Sequence, residues 1–327
     1  MRSLIEQFPE FLADAIEIGE KADLVNSTTT IDNVVITGLG GSGIGGTIIS
    51  QLVASEVSVP IIVHKNYGIP NFVGPTTLLI GCSYSGNTEE TLDAIRSARE
   101  KGAQIACITA GGQLSQLAHE NGWNCIRVPG GNPPRSMFAY SLTQLFFLFM
   151  HYRLISTKHL PGLQAAQNLL RKDLEQIQTL AMTVAKQLNG KRIVVYSDNA
   201  FGGVTERFRQ QLNENSKQLA WHHALPEMNH NELVGWGGGD STIGVVIFRS
   251  AFDNPRTMIR MDLSKKIFSH HTQTIVELYA KGESQTEQAF YLVLLGDWIS
   301  LILAELNGVD PIEIEVIDFL KSELGKV

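Results

Sequence analysis

Leu78-Leu79-Ile80-Gly81-Cys82-Ser83-Tyr84-Ser85-Gly86-Asn87-Thr88-Glu89-Glu90-Thr91 joins two kinds of periodicity. Its first five residues are a short apolar run, the pattern of a strand buried on both faces. From Thr91 to Ala98 the spacing turns helical, with Leu92, Ile95 and Ala98 on one side. Hydroxyls at Ser83, Ser85 and Thr88, with Gly86 and Asn87 among them, therefore sit at a strand-to-helix turn. The free N–H groups of a first helical turn point outward there and favour an anion. Hydroxyls donate to phosphate oxygens without crowding them, and glycine lets the backbone come close. A pocket for a phosphate monoester is one reading. Helix capping alone is the other, although a cap uses one hydroxyl and several are present.

Outward from this junction the same alternation repeats. Val34-Val35-Ile36-Thr37 is a second apolar run, followed by Gly38-Leu39-Gly40-Gly41-Ser42-Gly43-Ile44-Gly45-Gly46 and a helix through about Ser55. The glycines satisfy the G-x-G-x-x-G spacing of a dinucleotide site, which also expects a carboxylate about 20 residues on. That place holds Val63-His64-Lys65-Asn66, which argues against NAD and leaves NADP a minor alternative. The same glycines let the backbone wrap a sugar, with Ser42 in reach of it. Strands at 61–63, 105–108 and 125–128 alternate with helices, and an amphipathic helix at about 8–21 precedes them. Val- and Ile-rich strands alternating with helices predict an α/β fold with a parallel, doubly wound sheet.

After an apolar helix at 136–154, Ser156-Thr157-Lys158-His159-Leu160-Pro161-Gly162 breaks the pattern. A second series follows: a helix at 169–188, a strand at 193–196, a helix to about Glu214, strands at 243–248 and 274–278, and helices at 256 onward, 287–306 and 311–324. The recurrence predicts two related subdomains, 1–154 with a leading helix and 155–327 with a closing helix.

Composition fits this reading. The chain has 327 residues, 43% hydrophobic and 18% charged, with a net charge of -7. An acidic balance argues against a general nucleic-acid or membrane-surface binder but leaves room for a locally positive pocket. No apolar run is expected to reach the ~18 residues of a membrane span; the longest considered is 142–150. The N-terminus is too acidic and interrupted for a signal peptide. Cys82, Cys107 and Cys125 lie apart in apolar stretches, as buried thiols in a reducing cytoplasm do. His222-His223 and His270-His271 are adjacent pairs whose side chains point apart, so no metal site is expected.

Four further residues invite a role. Arg135 precedes a helix, the wrong end of the dipole for a cation unless something anionic sits nearby; an exposed Arg on a turn is the alternative. Glu214 falls off the buried face marked by Phe201, Val204, Phe208 and Leu212, and by spacing alone reads as a solvated carboxylate. His230, in Met228-Asn229-His230-Asn231-Glu232, is either a loop proton carrier or a plain surface histidine. Lys321 reads as a surface lysine.

Taken together the motifs resemble the sugar isomerase (SIS) superfamily, and more closely its bifunctional phosphoglucose/phosphomannose isomerases. The resemblance rests on Gly38–Gly46, Ser83–Thr91, Pro134-Arg135, Leu212-Asn213-Glu214-Asn215-Ser216-Lys217, Met228–Glu232 and Asp310-Pro311 with Ile317–Lys321, in order along the chain. It implies a cofactor-free, cytoplasmic homodimer acting on a hexose 6-phosphate. In that family's scheme Gly41, Ser42, Ser83, Ser85 and Thr88 would hold phosphate and sugar hydroxyls, and Glu214 would move a proton between C2 and C1 through a cis-enediol. Arg135 would stabilise the enediolate, and His230, from the neighbouring subunit, would open the ring with help from Lys321. The resemblance ties tolerance of mannose partly to a threonine near the C-terminus, and none lies between Asp310 and Lys321. Two rivals stand beside it: a non-catalytic sugar-phosphate-binding SIS module, and an NADP oxidoreductase.

Overall fold

In the computed structural model, residues 1–27 and 29–326 are described; Thr28 and Val327 lie outside them. The two apolar runs on either side of the glycine loop become β1 (Asn33–Thr37) and β3 (Thr77–Cys82), parallel neighbours with Val35 opposite Leu79. β2 (Ile61–His64), β4 (Gln104–Thr109) and β5 (Asn124–Arg127) complete a parallel sheet in the order β2-β1-β3-β4-β5. The order reverses between β1 and β3, so their carboxyl ends open onto a crevice. Around this sheet run α1 (Arg2–Glu6), α2 (Phe8–Glu20), α3 (Gly40–Leu52), α4 (Glu89–Glu100), α5 (Gly112–Asn121), α6 (Phe138–His151) and α7 (His159–Leu188).

The second half repeats the plan. β6 (Arg192–Asp198), β7 (Ala220–Leu225), β8 (Ile243–Arg249) and β9 (Ile275–Tyr279) form a parallel sheet in the order β7-β6-β8-β9. Its helices are α8 (Gly202–Glu214), α9 (Glu232–Gly235), α10 (Pro255–Phe268), α11 (Gln285–Asn307) and α12 (Glu315–Leu324).

Strand alternation explains the layers. Val34, Ile36, Leu78 and Ile80 face inward and share one core with Ile193, Val195, Val246 and Phe248 of the second sheet, through α2, α6, α7 and α11. Val35, Leu79, Ile105 and Cys107 face outward onto Leu92 of α4 and Leu114 of α5. Val194, Val245 and Ile247 face outward onto Met261 and Phe268 of α10. Each fully buried Leu, Ile or Phe contributes roughly 1.5–3 kcal/mol, so a sheet apolar on both faces needs helices on both.

Three expectations need correction. β7 lies within a segment with no expected strand: Trp221, His222 and His223 lack an apolar run because this edge strand is only half covered. α7 starts at His159, inside the expected break, because Pro161 falls in its first turn, where a missing N–H costs nothing. α11 is long and apolar enough to cross a membrane, although 89% of its most apolar window is buried inside the protein, as the central helix of a core. The three cysteines are free thiols; burial pushes Cys82 up to about 12.

Candidate active site

The hydroxyl loop is shaped by glycine and by its own hydroxyls. Gly86 takes φ +70, and a Cβ there would lie 1.8 Å from the carbonyl of Gly111, so only glycine fits. Ser83 is buried; its Oγ accepts from the N–H of Gly86 at 3.1 Å and sits 2.8 Å from Thr88 Oγ1. Ser85 Oγ accepts from the N–H of Asn87 at 3.2 Å, and Ser42 Oγ, in the first turn of α3, accepts from the N–H of Tyr84 at 3.2 Å. A hydroxyl that accepts keeps its own O–H to donate. Thr88 is the N-cap of α4, yet its side chain makes no capping bond. The capping-only reading therefore fails at the residue that would have to do it, and the helix N-terminus stays open for an anion.

α3 begins within the glycine run. Gly43 is required there, because a Cβ would approach the carbonyl of Gly38 to 2.2 Å. Gly41 lies against the backbone of Arg135, which places the glycine loop, the hydroxyl loop and this cation around one crevice.

Arg135 lies in a short turn, Pro134–Met137, and is 4% exposed. Its Nε donates to Asn215 Oδ1 at 2.7 Å, and Nη2 donates to the carbonyls of Pro311, at 2.5 Å, and Ile312, at 3.3 Å. Nη1 lies 3.3 Å from Glu214 Oε2. Burial lowers its pKa and Glu214 opposes the shift; starting from the high value of a guanidinium, it stays charged. Glu214 closes α8 with its side chain 29% exposed, one edge on the cation and the other toward solvent. It is therefore not the free solvated carboxylate its spacing suggested.

The C-terminal segment joins the two ends of the site. Ile317, Leu320 and Lys321 of α12 face Ser85 and Thr88 across a cleft of about 500 Å³. Ile314 and Ile317 face Glu214 across a neighbouring hollow of about 440 Å³. Lys321 is thus brought to the hydroxyl loop. The approach to α12 is clasped by Lys217, whose Nζ donates to the carbonyls of Glu214 and Glu313, both at 2.6 Å. Asn215 and Lys217, quoted in the sequence motif but given no role, are the side chains that hold the site together.

His230 is not brought to the others within the chain. It is exposed and lines neither cleft. Its loop is nonetheless held firmly: Glu232 Oε2 lies 2.7 Å from His223 Nδ1, Glu232 Oε1 accepts from Tyr196, and Asn229 donates to Ser264 Oγ at 2.9 Å. Among the described residues no group of three or more His, Cys, Asp or Glu side chains is placed to hold a metal ion.

With hydroxyls, an open helix N-terminus, a buried cation and a carboxylate, the site suits a phosphorylated substrate that passes through an anion. Residues 29–151 match the SIS domain family, and residues 177–324 match the bacterial phospho-glucose isomerase C-terminal SIS domain. The bifunctional phosphoglucose/phosphomannose isomerase of Caldicellulosiruptor bescii is 35% identical over 99% of this chain and 98% of its own. The D-glucosamine-6-phosphate 4-epimerase of Sulfolobus acidocaldarius is 30% identical over 76% of this chain and 77% of its own. In fold, the chain is similar to the C-terminal domain of glucosamine-fructose-6-phosphate aminotransferase from Francisella tularensis, with a TM-score of 0.74 at 13% identity over 96% of this chain and 97% of that one. By near-full-length likeness in sequence, the chain belongs to the family of bifunctional phosphoglucose/phosphomannose isomerases.

Proposed function

We propose that the protein is an aldose–ketose isomerase that interconverts glucose 6-phosphate, and mannose 6-phosphate, with fructose 6-phosphate. The observation that carries this reading is the Arg135–Glu214 pair, 3.3 Å apart, beside an uncapped helix N-terminus. Ser42, Ser85 and Thr88, with the N–H groups opening α4, hold the phosphate; Gly41 lets the sugar come close to the backbone, and Ser83 braces the loop from inside. Glu214 takes the proton from C2 of the open-chain aldose, and the electron pair moves into a cis-enediolate. Arg135 faces the oxygen on which that charge develops, in a site where a fixed cation needs no reorganisation. The hydroxyl proton passes from O2 to O1, Glu214 returns its proton to C1, and the electron pair collapses to the C2 carbonyl, which gives the ketose. The enediolate has lost the configuration at C2, so either aldose epimer leads to it. Glu214→Gln keeps the shape but removes the base. We expect kcat to fall about 10²–10⁴-fold with substrate binding nearly unchanged, measured by a coupled assay and calorimetry with each hexose 6-phosphate. Wild-type-like turnover would sink the mechanism.

Ring opening is assigned to His230 of a second copy, with Lys321 assisting. Supporting this, His230 is exposed beside α10, whose Met258, Ile259, Leu263 and Ile267 form an exposed apolar stripe. A homodimer that covers the stripe would present each His230 to the other copy. Mixing Glu214→Gln and His230→Ala chains tests it: random pairing should restore about a quarter of wild-type turnover. No restoration in verified mixed dimers would place His230 outside the partner's site. An epimerase among the relatives makes product analysis part of the same assay, and the non-catalytic alternative is discarded once turnover is seen.

A further inference from the structure

α8 carries a polar stripe where the core calls for apolar residues. Arg207, Gln211 and Asn215 recur every fourth residue beside the buried Val204, Phe208 and Leu212. Arg207 and Asp297 are each 2% exposed, and Nη2 of Arg207 lies 3.0 and 2.8 Å from the two carboxylate oxygens of Asp297. Gln211 donates to the same carboxylate at 2.8 Å, and the ring of Phe138 lies 4.0 Å from the guanidinium carbon. Arg207 Nε has no partner among the described residues.

Stability does not account for this pair. Removing two charges from water costs about what their attraction returns, and apolar residues of similar volume commonly leave a fold as stable or more so. Burial raises the pKa of Asp297 against the pull of Arg207, so the cost is visible on the acid itself. What the pair holds explains it better. Arg207 Nη2 also donates to the carbonyl oxygen of Arg135 at 3.1 Å, which fixes the backbone of the site's cation. Asn215, at the next position on the stripe, accepts from Arg135 Nε and donates to Ser300 Oγ of α11 at 2.9 Å. Glu214 adjoins Asn215 on the same helix. Glu214, Arg135, Arg207 and Asn215 are thus joined in one bonded network that is tied to α11 through Asp297 and Ser300. The charges also balance: Arg135 and Arg207 against Glu214 and Asp297.

We propose that Arg207 and Asp297 are positioning residues for the isomerisation, touching no substrate and holding Arg135 at a set distance from Glu214. The inference rests on the isomerase reading and adds to it a pair outside the substrate's reach. The decisive variant is the apolar exchange Arg207→Met with Asp297→Leu. We expect it to fold and to melt at or above the wild-type temperature. Its kcat should fall at least about tenfold while KM stays within about twofold, because the loss concerns an interaction made only in the transition state. Calorimetry gives a second readout that needs no turnover. Affinity for a five-carbon aldonate 5-phosphate, whose carboxylate mimics the enediolate, should drop about tenfold, while a hexitol 6-phosphate binds as before. A folded variant with wild-type kcat and wild-type affinity for the aldonate overturns the inference. If the double variant does not fold, Gln211→Met removes the brace on Asp297 without changing charge. It should lower kcat about threefold at constant KM, and an unchanged kcat overturns the inference equally. Wild-type protein that neither binds nor converts a hexose 6-phosphate would instead defeat the isomerase reading itself.

Discussion

The carboxyl ends of β1 and β3 and those of β6 and β8 occupy the same place in two sheets of the same strand order. Only the first is furnished for an anion. There, hydroxyls and glycine surround a helix N-terminus with no capping bond. At the second, Asp198 accepts from the N–H groups of Ala200 at 2.9 Å and Asn254 at 3.2 Å, Asp253 accepts from Ser250 N–H at 2.9 Å, and Ser250 Oγ donates to Gln288 at 2.7 Å. Carboxylates take the bonds a phosphate would take and would repel one besides. Repetition of the fold does not repeat the site. The second half instead contributes the far end of its helix: α8 brings Glu214 to the first crevice, and in exchange α3 offers Gln51 Oε1 to the N–H of Gly203 at 2.8 Å.

The contrast can be tested from either pole. At the open one, Ser85→Ala together with Thr88→Val removes hydroxyls from the anion site. A hydrogen bond to a charged group is worth ~1.5–3 kcal/mol, so KM for hexose 6-phosphates should rise about tenfold or more while kcat moves little. An unchanged KM would mean that the loop is only a turn. At the closed pole the effect is on stability alone. Burial, helped by the neighbouring Asp198, pushes the Asp253 carboxyl up to about 6 from an ordinary 3.8. Between about pH 4 and 6 the folded protein therefore holds a proton that the unfolded chain has released, and stability falls as pH rises through that window. Asp253→Asn removes that loss. It should raise stability by about 1–3 kcal/mol at pH 7.5, with the difference vanishing below about pH 4 and kcat unchanged. Melting curves across pH and one activity assay decide it; a fall in kcat would give the second crevice a part in the chemistry.

The sheets and the hydroxyl-rich turn were legible in the chain because their signals are local: apolar runs of Val, Ile and Leu, and hydroxyls packed at a turn. β7 escaped notice because an edge strand with one wet side needs no apolar run, and Trp221-His222-His223 supplies none. The placement of Glu214 was not legible in its spacing because it pairs with Arg135, 79 positions earlier, and no periodicity reports a contact of that range. Arg207 and Gln211 left a trace that could have been read, a cation and an amide adjoining the apolar stripe of a helix, which in a buried setting demand partners. Asp297, a carboxylate inside the apolar stretch Phe290–Leu303 of α11, is the matching half of that trace.

The exchange of helix ends between α3 and α8 bears on how such a protein can be recombined. The two sheets share one core through α2, α6, α7 and α11, so a chimera joined near residue 155 from two distant relatives divides that core as well as the site. Arg135 would then come from one parent, and the side chains that grip it, Arg207 and Asn215, from the other. Under the proposed mechanism, the unit of inheritance for activity is therefore the seam rather than either half. Shuffling experiments should preserve residues 135, 207, 211, 214, 215 and 297 as a single block.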